Sequence, residues 1–282
     1  MAYTTIDDPT IYFNSVLYTG NAGTQSITGV GFSPALNWIK CRGATEIHTL
    51  VDSVRGDSGA NTGYWYLASS ADSADESGSG NTLVSAIGSD GFSLGNNDRV
   101  NIASTFVAWN WLAGTTSGIT TNGSTTITPS AYSFNQTPGF SILKYTGNQT
   151  SGAKLAHGLG VKPDMIITKS LAAASGWGVY HKSLGATYAL LLNTTAAKDD
   201  DDTAWNDVEP DTVNITLGSS INTNKTGTCI AYAFAEKQGY SKFGSYTGNG
   251  NVDGPFNYTG FKPAFVMIKV TNSVDSWRLW DN

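Results

Sequence analysis

Five groups of residues in this chain have types that could do chemistry. Gly56-Asp57-Ser58-Gly59 presents a serine hydroxyl beside two glycines, with His48 and Asp52 a few residues earlier. A serine nucleophile needs a histidine base within hydrogen-bond reach and a carboxylate behind that base. His48 and Asp52 lie four apart on one predicted strand, and the matching later stretch reads Lys182-Ser183-Leu184-Gly185, so a turn is expected. His48, His157 and His181 are the three histidines, and none stands at i, i+4 from another as in a helical metal site. Structural hydrogen bonds are expected of them. Asp199-Asp200-Asp201-Asp202 is the sharpest charge run. A calcium loop alternates its oxygen ligands around a glycine turn; four consecutive aspartates lack that spacing, and a solvated loop tip is expected. Glycoside hydrolysis needs two carboxylates about 5 to 10 Å apart, whereas Asp52, Asp207 and Glu209 share no motif. Tyr64-Trp65-Tyr66 is the remaining candidate. Consecutive strand residues point to opposite faces, so at least one ring is expected to leave the core, where it could stack on a sugar. The competing expectation is core packing, because Leu190-Leu191-Leu192 is aligned with Trp65-Tyr66-Leu67. Tyr64, Trp65 and Tyr66 are therefore the candidate glycan contacts. No residue is assigned to catalysis, to a metal or to a cofactor.

The elements that would position these residues follow from composition. The chain has 282 residues, 40% hydrophobic and 11% aromatic, enough for more than one core. Charged residues are 13%, about half the roughly 25% usual in globular domains. Net charge is −6, the isoelectric point is near 4.9, and Lys and Arg form no cluster, which argues against nucleic-acid binding. There is no run of 18 apolar residues to span a membrane, and the N-terminus lacks the basic and apolar regions of a secretory signal. Cys41 and Cys229 fall in different parts of the chain and are expected to be free buried thiols. A disulfide between them is the other arrangement the sequence allows.

The strongest pattern is self-similarity. Tyr18-Thr19-Gly20-Asn21, Tyr145-Thr146-Gly147-Asn148 and Tyr246-Thr247-Gly248-Asn249 are each followed by a Gly-x-x-Pro and then by an apolar strand closing on lysine. From proline to lysine the numbers run 34 to 40, 163 to 169 and 263 to 269. Such recurrence means a tandem array. Aromatic and β-branched residues mixed with polar ones, then Gly and Asn, describe strand, turn, strand. Asp164–Thr168 is nearly all apolar and is expected to be central and covered on both faces.

The second halves repeat too. Gly91–Gly95 matches Val213–Gly218, and Thr105–Trp111 matches Thr228–Phe234. Residues 1–13 are a lead-in, 14–114 one β-sandwich repeat, 115–138 a bridge with one strand expected at Ser124–Thr128, 139–238 a second repeat, and 239–282 a partial third. On Thr105–Trp111 the residues Thr105, Val107, Trp109 and Trp111 share a face, which is placed inside sandwich one, with Tyr232 and Phe234 as counterparts. Unit three lacks a second half, and a half-sandwich leaves an apolar face and open edges. Completion by chain beyond Asn282 is expected ahead of completion by another chain. No helix of ordinary length is expected. The fold class is all-β: tandem antiparallel β-sandwich repeats, jelly-roll or concanavalin-like.

The pattern Tyr-Thr-Gly-Asn, His157-Gly158-Leu159-Gly160, Pro163 to Lys169, Tyr180-His181, Trp205-Asn206, Tyr240-Ser241-Lys242-Phe243 and Gly254-Pro255-Phe256 resembles a repeat module of structural proteins in tailed bacteriophages, marine phages above all. The opening Met1–Ile6 and Ile27–Phe32 are similar to the start of such proteins. The resemblance covers nearly the whole chain and implies a virion location, in a tail fibre or other surface appendage, with lectin-like sandwich domains and no catalytic residues. Family members usually complete the third unit. The expected function is that of a non-enzymatic virion structural protein that helps attach to the host surface. Its expected partners are further copies of itself, other virion proteins and a host surface glycan. The alternatives are a glycan-active tail depolymerase and a capsid-decorating protein.

Overall fold

A computed structural model describes residues 4–59, 63–77, 80 and 82–282. The first three residues of the lead-in and parts of the two polar loops of unit one (60–62 and 78–79) lie outside the described residues, as does residue 81. The fold is almost wholly antiparallel β, as the turn-rich alternating sequence requires. A 3-10 turn at Pro9–Ile11, capped by the Asp8 carboxylate, leads into unit one.

Unit one contains β1 (Phe13–Thr19), β2 (Gln25–Thr28), β3 (Leu36–Cys41), β4 (Thr49–Asp52), β5 (Trp65–Ala68), β6 (Glu76–Ser77), β7 (Val84–Gly88), β8 (Gly91–Leu94) and β9 (Thr105–Trp111). A six-stranded sheet, β1-β9-β3-β4-β5-β6, faces a three-stranded one, β2-β8-β7. Ile27, Ile39, Val51, Phe92, Leu94, Phe106 and Ala108 fill the space between. Unit two contains β10 (Ala131–Asn135), β11 (Phe140–Gly147), β12 (Ala153–Ala156), β13 (Met165–Ser170), β14 (Gly178–His181), β15 (Tyr188–Leu191), β16 (Asp199–Asp200), β17 (Asn214–Leu217) and β18 (Gly227–Phe234). Its large sheet is β10-β11-β18-β13-β14-β15-β16, faced by β12-β17. Unit three contributes the hairpin β19 (Phe265–Ile268) and β20 (Arg278–Asp281). The described helices, α1 (Asp98–Asn101) and α2 (Asp202–Trp205), are one turn each.

Register bears out the repeat. Trp38 pairs with Trp109 in unit one and Ile167 with Tyr232 in unit two, each four residues past the motif proline. All six residues of β13 are buried, because β18 and β14 flank it and apolar side chains cover both its faces. Two expectations are corrected. The bridge strand lies at Ala131–Asn135, not at Ser124–Thr128, where Ile127 makes one isolated bridge to Leu155; Ala-Tyr-Ser-Phe-Asn is the segment that alternates. Leu190 sits where Leu67 sits, so Tyr188 and Ala189, not Leu190 and Leu191, are the counterparts of Trp65 and Tyr66.

A third correction concerns the aromatic face of β9. Trp109 and Trp111 are buried, but they point out of sandwich one, not into it. With Leu36, Trp38, Leu50 and Leu67 they meet Phe140, Ile142, Ile167, Trp177, Val179 and Tyr232 of unit two in a second core between the large sheets. Phe265, Met267, Trp277 and Leu279 of unit three pack on the same core, the Phe265 ring 5.2 Å from that of Trp109 and 5.7 Å from that of Trp111. Alternation tells which residues share a face; it does not tell which face is inside when both are covered.

The units join head to tail through one joint used twice. Trp177 Nε1 donates to Ala71 O at 2.9 Å, Ser175 N to Asp72 O, and Asp75 N to Leu171 O. One hundred residues on, Trp277 Nε1 donates to Leu191 O at 3.0 Å, Asp275 N to Thr195 O, and Lys198 N to Thr271 O. Of the described helices, none is long and apolar enough to cross a membrane.

Candidate functional site

Asp52 ends β4 and is fully buried. Its Oδ1 accepts from the backbone N of Val54 at 3.1 Å and of Arg55 at 2.8 Å, and its Oδ2 from Arg55 Nε at 2.6 Å. Tyr232 of β18 donates its hydroxyl to the same Oδ2 at 2.7 Å, so the carboxylate bridges units one and two. Arg55 also donates to Asp75 Oδ1 at 2.7 Å and to Leu50 O at 2.9 Å. Burial opposes its charge, but Asp52, the polar Tyr232 and Asp75 outweigh that and hold the guanidinium protonated. Burial, with Asp52 beside it, drives the Tyr232 hydroxyl well above its ordinary range, so it stays a donor.

This cluster consumes the carboxylate that a triad would need. His48 Nδ1 accepts from Trp38 Nε1 at 2.9 Å, and burial, with Lys40 nearby, lowers its pKa to about 4. Ser58 Oγ donates to Gly63 O at 2.7 Å. Serine, histidine and aspartate each have a different partner, and the serine stretch closes a turn. The other histidines are tied down as well. His157 is fully buried, its Nδ1 accepting from Leu159 N at 3.2 Å and its Nε2 lying 3.1 Å from Asp211 O, a neutral ring with pKa lowered to about 4 by burial. His181 Nδ1 accepts from Ser183 N at 3.2 Å.

The acidic candidates do not converge. Burial acts to raise the Glu209 carboxyl, but bonds from Lys162 Nζ (2.6 Å), the Tyr180 hydroxyl (2.5 Å) and Ala186 N (2.8 Å) outweigh it and hold the group below its usual range. Asp207 lies on a shallow polar concavity with Ser151, Asp202, Thr203, Asn206 and Ser219. The aspartate run is an edge strand and a cap. Asp199 and Asp200 pair with Ala189 and Tyr188, and Asp201 Oδ1 accepts from Thr203 N at 3.0 Å to start α2. Among the described residues no group of three His, Cys, Asp or Glu is placed to hold a metal ion.

The aromatic triplet divides as alternation requires. Tyr66 is buried against the core of sandwich one, with its hydroxyl bonded to Glu76 and accepting from Arg99 Nη1 at 2.7 Å. Tyr64 is half-buried on the same core, and Trp65 is half-buried on the opposite face. Tyr188, in the place of Trp65, carries Lys198 Nζ over its ring at 3.7 Å. Cys41 and Cys229 are free and buried in the two sandwich cores.

What residue-by-residue reading missed is the work done by the repeated motif. Tyr18 donates to Val100 O at 2.7 Å and Tyr145 to Thr223 O, each gripping the segment before its closing strand. Gly20 and Gly147 let that segment approach: a Cβ would stand 1.9 Å from Ile102 O and 2.2 Å from Lys225 O. Asn21 N donates to Asn101 Oδ1 while Asn101 Nδ2 donates back to Asn21 Oδ1; Asn148 and Asn224 repeat the exchange at 3.0 and 3.1 Å. The closing lysines clasp loop oxygens: Lys40 on Glu46 O at 2.5 Å, Lys169 on Ser170 O at 2.8 Å, Lys269 on Val270 O at 2.7 Å. Asn101 and Asn224 each stand six residues past an aligned glycine, Gly95 and Gly218, so the match of the second halves carried the signal. The recurring tyrosine, glycine and asparagine thus fasten the two halves of a unit together, while the lysine holds the chain just after its own strand.

No curated protein and no solved structure matches this chain. Residues 8–282 match the family described as "Domain of unknown function (DUF7483)", and the chain belongs to that family.

Proposed function

We propose that this protein is a non-enzymatic structural component of a tailed-phage virion, in a tail fibre or other surface appendage, that contributes to attachment at the host surface. The observation that carries the non-enzymatic part is the fate of its chemistry-bearing groups. Asp52, His48, His157 and Glu209 are each bound to fold-holding partners, and two of the three histidines are buried to a pKa near 4. The virion part rests on the resemblance of the repeated residues to phage structural modules. The head-to-tail joint between units suits a protein that builds length or surface, with further copies and other virion proteins as neighbours. Half-exposed Trp65, paired with Ser77, and Tyr64 suit weak contact with a surface glycan, where linked weak sites gain about 10² to 10⁴ in avidity.

The test incubates purified protein with bacterial surface polysaccharide and with cells. No reducing ends are expected, and adhesion should rise when the protein is multimerised on a scaffold. Reducing ends that disappear on Asp207→Asn or Glu209→Gln would overturn the reading in favour of a depolymerase.

A further inference from the structure

One core position separates units one and two. In unit one Tyr66 of β5 turns its ring into the sandwich core and is buried there. Its hydroxyl donates to Glu76, its partner on β6, and accepts from Arg99 Nη1 at 2.7 Å, with the Arg99 guanidinium 5.2 Å from the ring centre. Register carries all three residues into unit two. Ala189 stands where Tyr66 stands, because Leu190 pairs with Val179 as Leu67 pairs with Leu50. Asp199 faces Ala189 as Glu76 faces Tyr66. Asn222 follows Gly218 at the spacing at which Arg99 follows Gly95. These counterparts, Ala189, Asp199 and Asn222, line one cleft of about 260 Å³. A methyl group stands where unit one has a phenol, and the cleft lies where the ring would be. Its lining is divided: Gly178, Ala189 and Ala204 give small apolar walls, while Lys198, Asp199 and Asn222 give polar groups. Asn222 Oδ1 accepts from Gly176 N at 2.8 Å, but its Nδ2 and the Asp199 carboxylate have no hydrogen-bond partner among the described residues.

We infer that this cleft in unit two binds one neutral pyranose ring of a glycan, an inference that rests on the glycan contact proposed above for its class of ligand and gives that contact a place apart from Trp65. The volume is below the roughly 300–1,000 Å³ of sites for drug-sized ligands, so the cleft takes a single ring. A hydroxyl is satisfied by one acceptor and one donor. Glu76 and Arg99 supply them to Tyr66 in unit one; Asp199 and Asn222 Nδ2 supply them to a ligand hydroxyl in unit two. The C–H groups of the sugar cover Gly178, Ala189 and Ala204, and its hydroxyls meet the polar groups. Charge selects against acidic sugars, because Asp199 and Asp201 both line the cleft and the Lys198 ammonium is held over the Tyr188 ring at 3.7 Å.

The experiment titrates the isotope-labelled 282-residue chain with the methyl glycosides of glucose, galactose, mannose and N-acetylglucosamine and follows amide NMR shifts. At least one sugar should give saturable shifts at 189, 199–204 and 220–223, with a dissociation constant in the millimolar range. Ala189→Tyr copies unit one, puts a ring in the cleft and should weaken binding about tenfold or more. Asp199→Ala, at an exposed position of an edge strand, should weaken it as much with the urea midpoint unchanged. Trp65→Ala should leave the shifts as they are. No saturable shift at those amides from any of these sugars, or parental affinity in both cleft variants, would overturn the inference. Tighter binding of methyl glucuronide or of p-cresol at the same amides would overturn it too. Adhesion of the multimerised chain separates this inference from the proposed function. Adhesion without the shifts leaves attachment standing and overturns the cleft; shifts without adhesion support the cleft and overturn attachment.

Discussion

Arg55→Met removes the one cation in the cluster between units one and two. The guanidinium is 1% exposed and makes three side-chain contacts, to Asp52, Asp75 and Leu50 O, at 2.6, 2.7 and 2.9 Å. Methionine fills much of the same volume, so little of the effect comes from a cavity. What remains is an uncompensated Asp52 at 0% exposure, with Asp75 beside it. Breaking a buried ion pair from one side costs about 3–5 kcal/mol, more than the intact pair is worth. Adding Asp52→Asn removes the stranded charge, so the double variant should be more stable than Arg55→Met alone, with a coupling energy of about 2 kcal/mol. Tyr232→Phe removes one bond to a carboxylate that keeps its other donors, and should cost about 1–2 kcal/mol. Urea unfolding followed by tryptophan fluorescence at pH 7 measures all three. An Arg55→Met chain within 1 kcal/mol of the parent, with an unchanged urea slope, would mean that water or rearrangement compensates the cluster and that it does not hold the units together.

Three further outcomes follow. Gly147→Ala should destabilise by about 1–3 kcal/mol, because its Cβ meets backbone at 2.2 Å, while Gly248→Ala at the same motif position should be neutral; equal effects in urea would refute the close-approach argument. His157 titrates near 6.5 unfolded and near 4 folded, so the unfolded chain binds the extra proton first; the stability it confers is complete above pH 6.5 and is lost as pH falls through 4, about 2 kcal/mol of it by pH 5. His157→Asn should flatten that part of the urea midpoint against pH, and an unchanged slope would refute it. Cys41 and Cys229 are each 1% exposed, and burial pushes the Cys229 thiol up to about 11, so a thiol reagent at pH 8 should label neither in the native chain and both in urea; rapid native labelling would contradict the packing.

Most strands were readable because their residues alternate. Thr105–Trp111 is read from Thr-Phe-Val-Ala-Trp-Asn-Trp with the boundaries the structure has, and the matching spacing of Trp109 and Tyr232 set the register of both large sheets. Short strands in Gly- and Ser-rich stretches were not readable. Gln25–Thr28 and Ala153–Ala156 each have four residues, and their pairing depends on β8 and β17, some 60 residues away. The direction of the β9 face was also hidden. Trp109 and Trp111 look like core residues and are core residues, yet their core lies between units, and nothing in one strand says how many sheets will cover it. The candidate site was legible mostly as an absence of convergence: the serine, histidine and aspartate around Ser58 sit close in sequence, and it took Tyr232, 180 residues from Asp52, to show what the aspartate does.

The low charge of this chain then has a structural cause. A sandwich standing alone wets the outer face of each sheet, and that face reads polar. Here the large sheets are covered on both faces, so β3 and β13 carry Trp38 and Ile167 toward one core and Ile39 and Ile166 toward the other. Apolar faces alone discriminate poorly between one half and another. The buried polar residues supply the difference. Asn37 Nδ2 reaches Asn110 Oδ1 at 2.6 Å, Asn21 exchanges bonds with Asn101, and Asp52 Oδ2 takes one donor from its own unit and another from the next. A wrong pairing would leave those groups buried and unpaired, at about 1–3 kcal/mol each. Fasteners of this kind fix which half closes which unit, and that is why Tyr, Gly and Asn repeat while the apolar positions drift between Trp, Ile, Leu and Met.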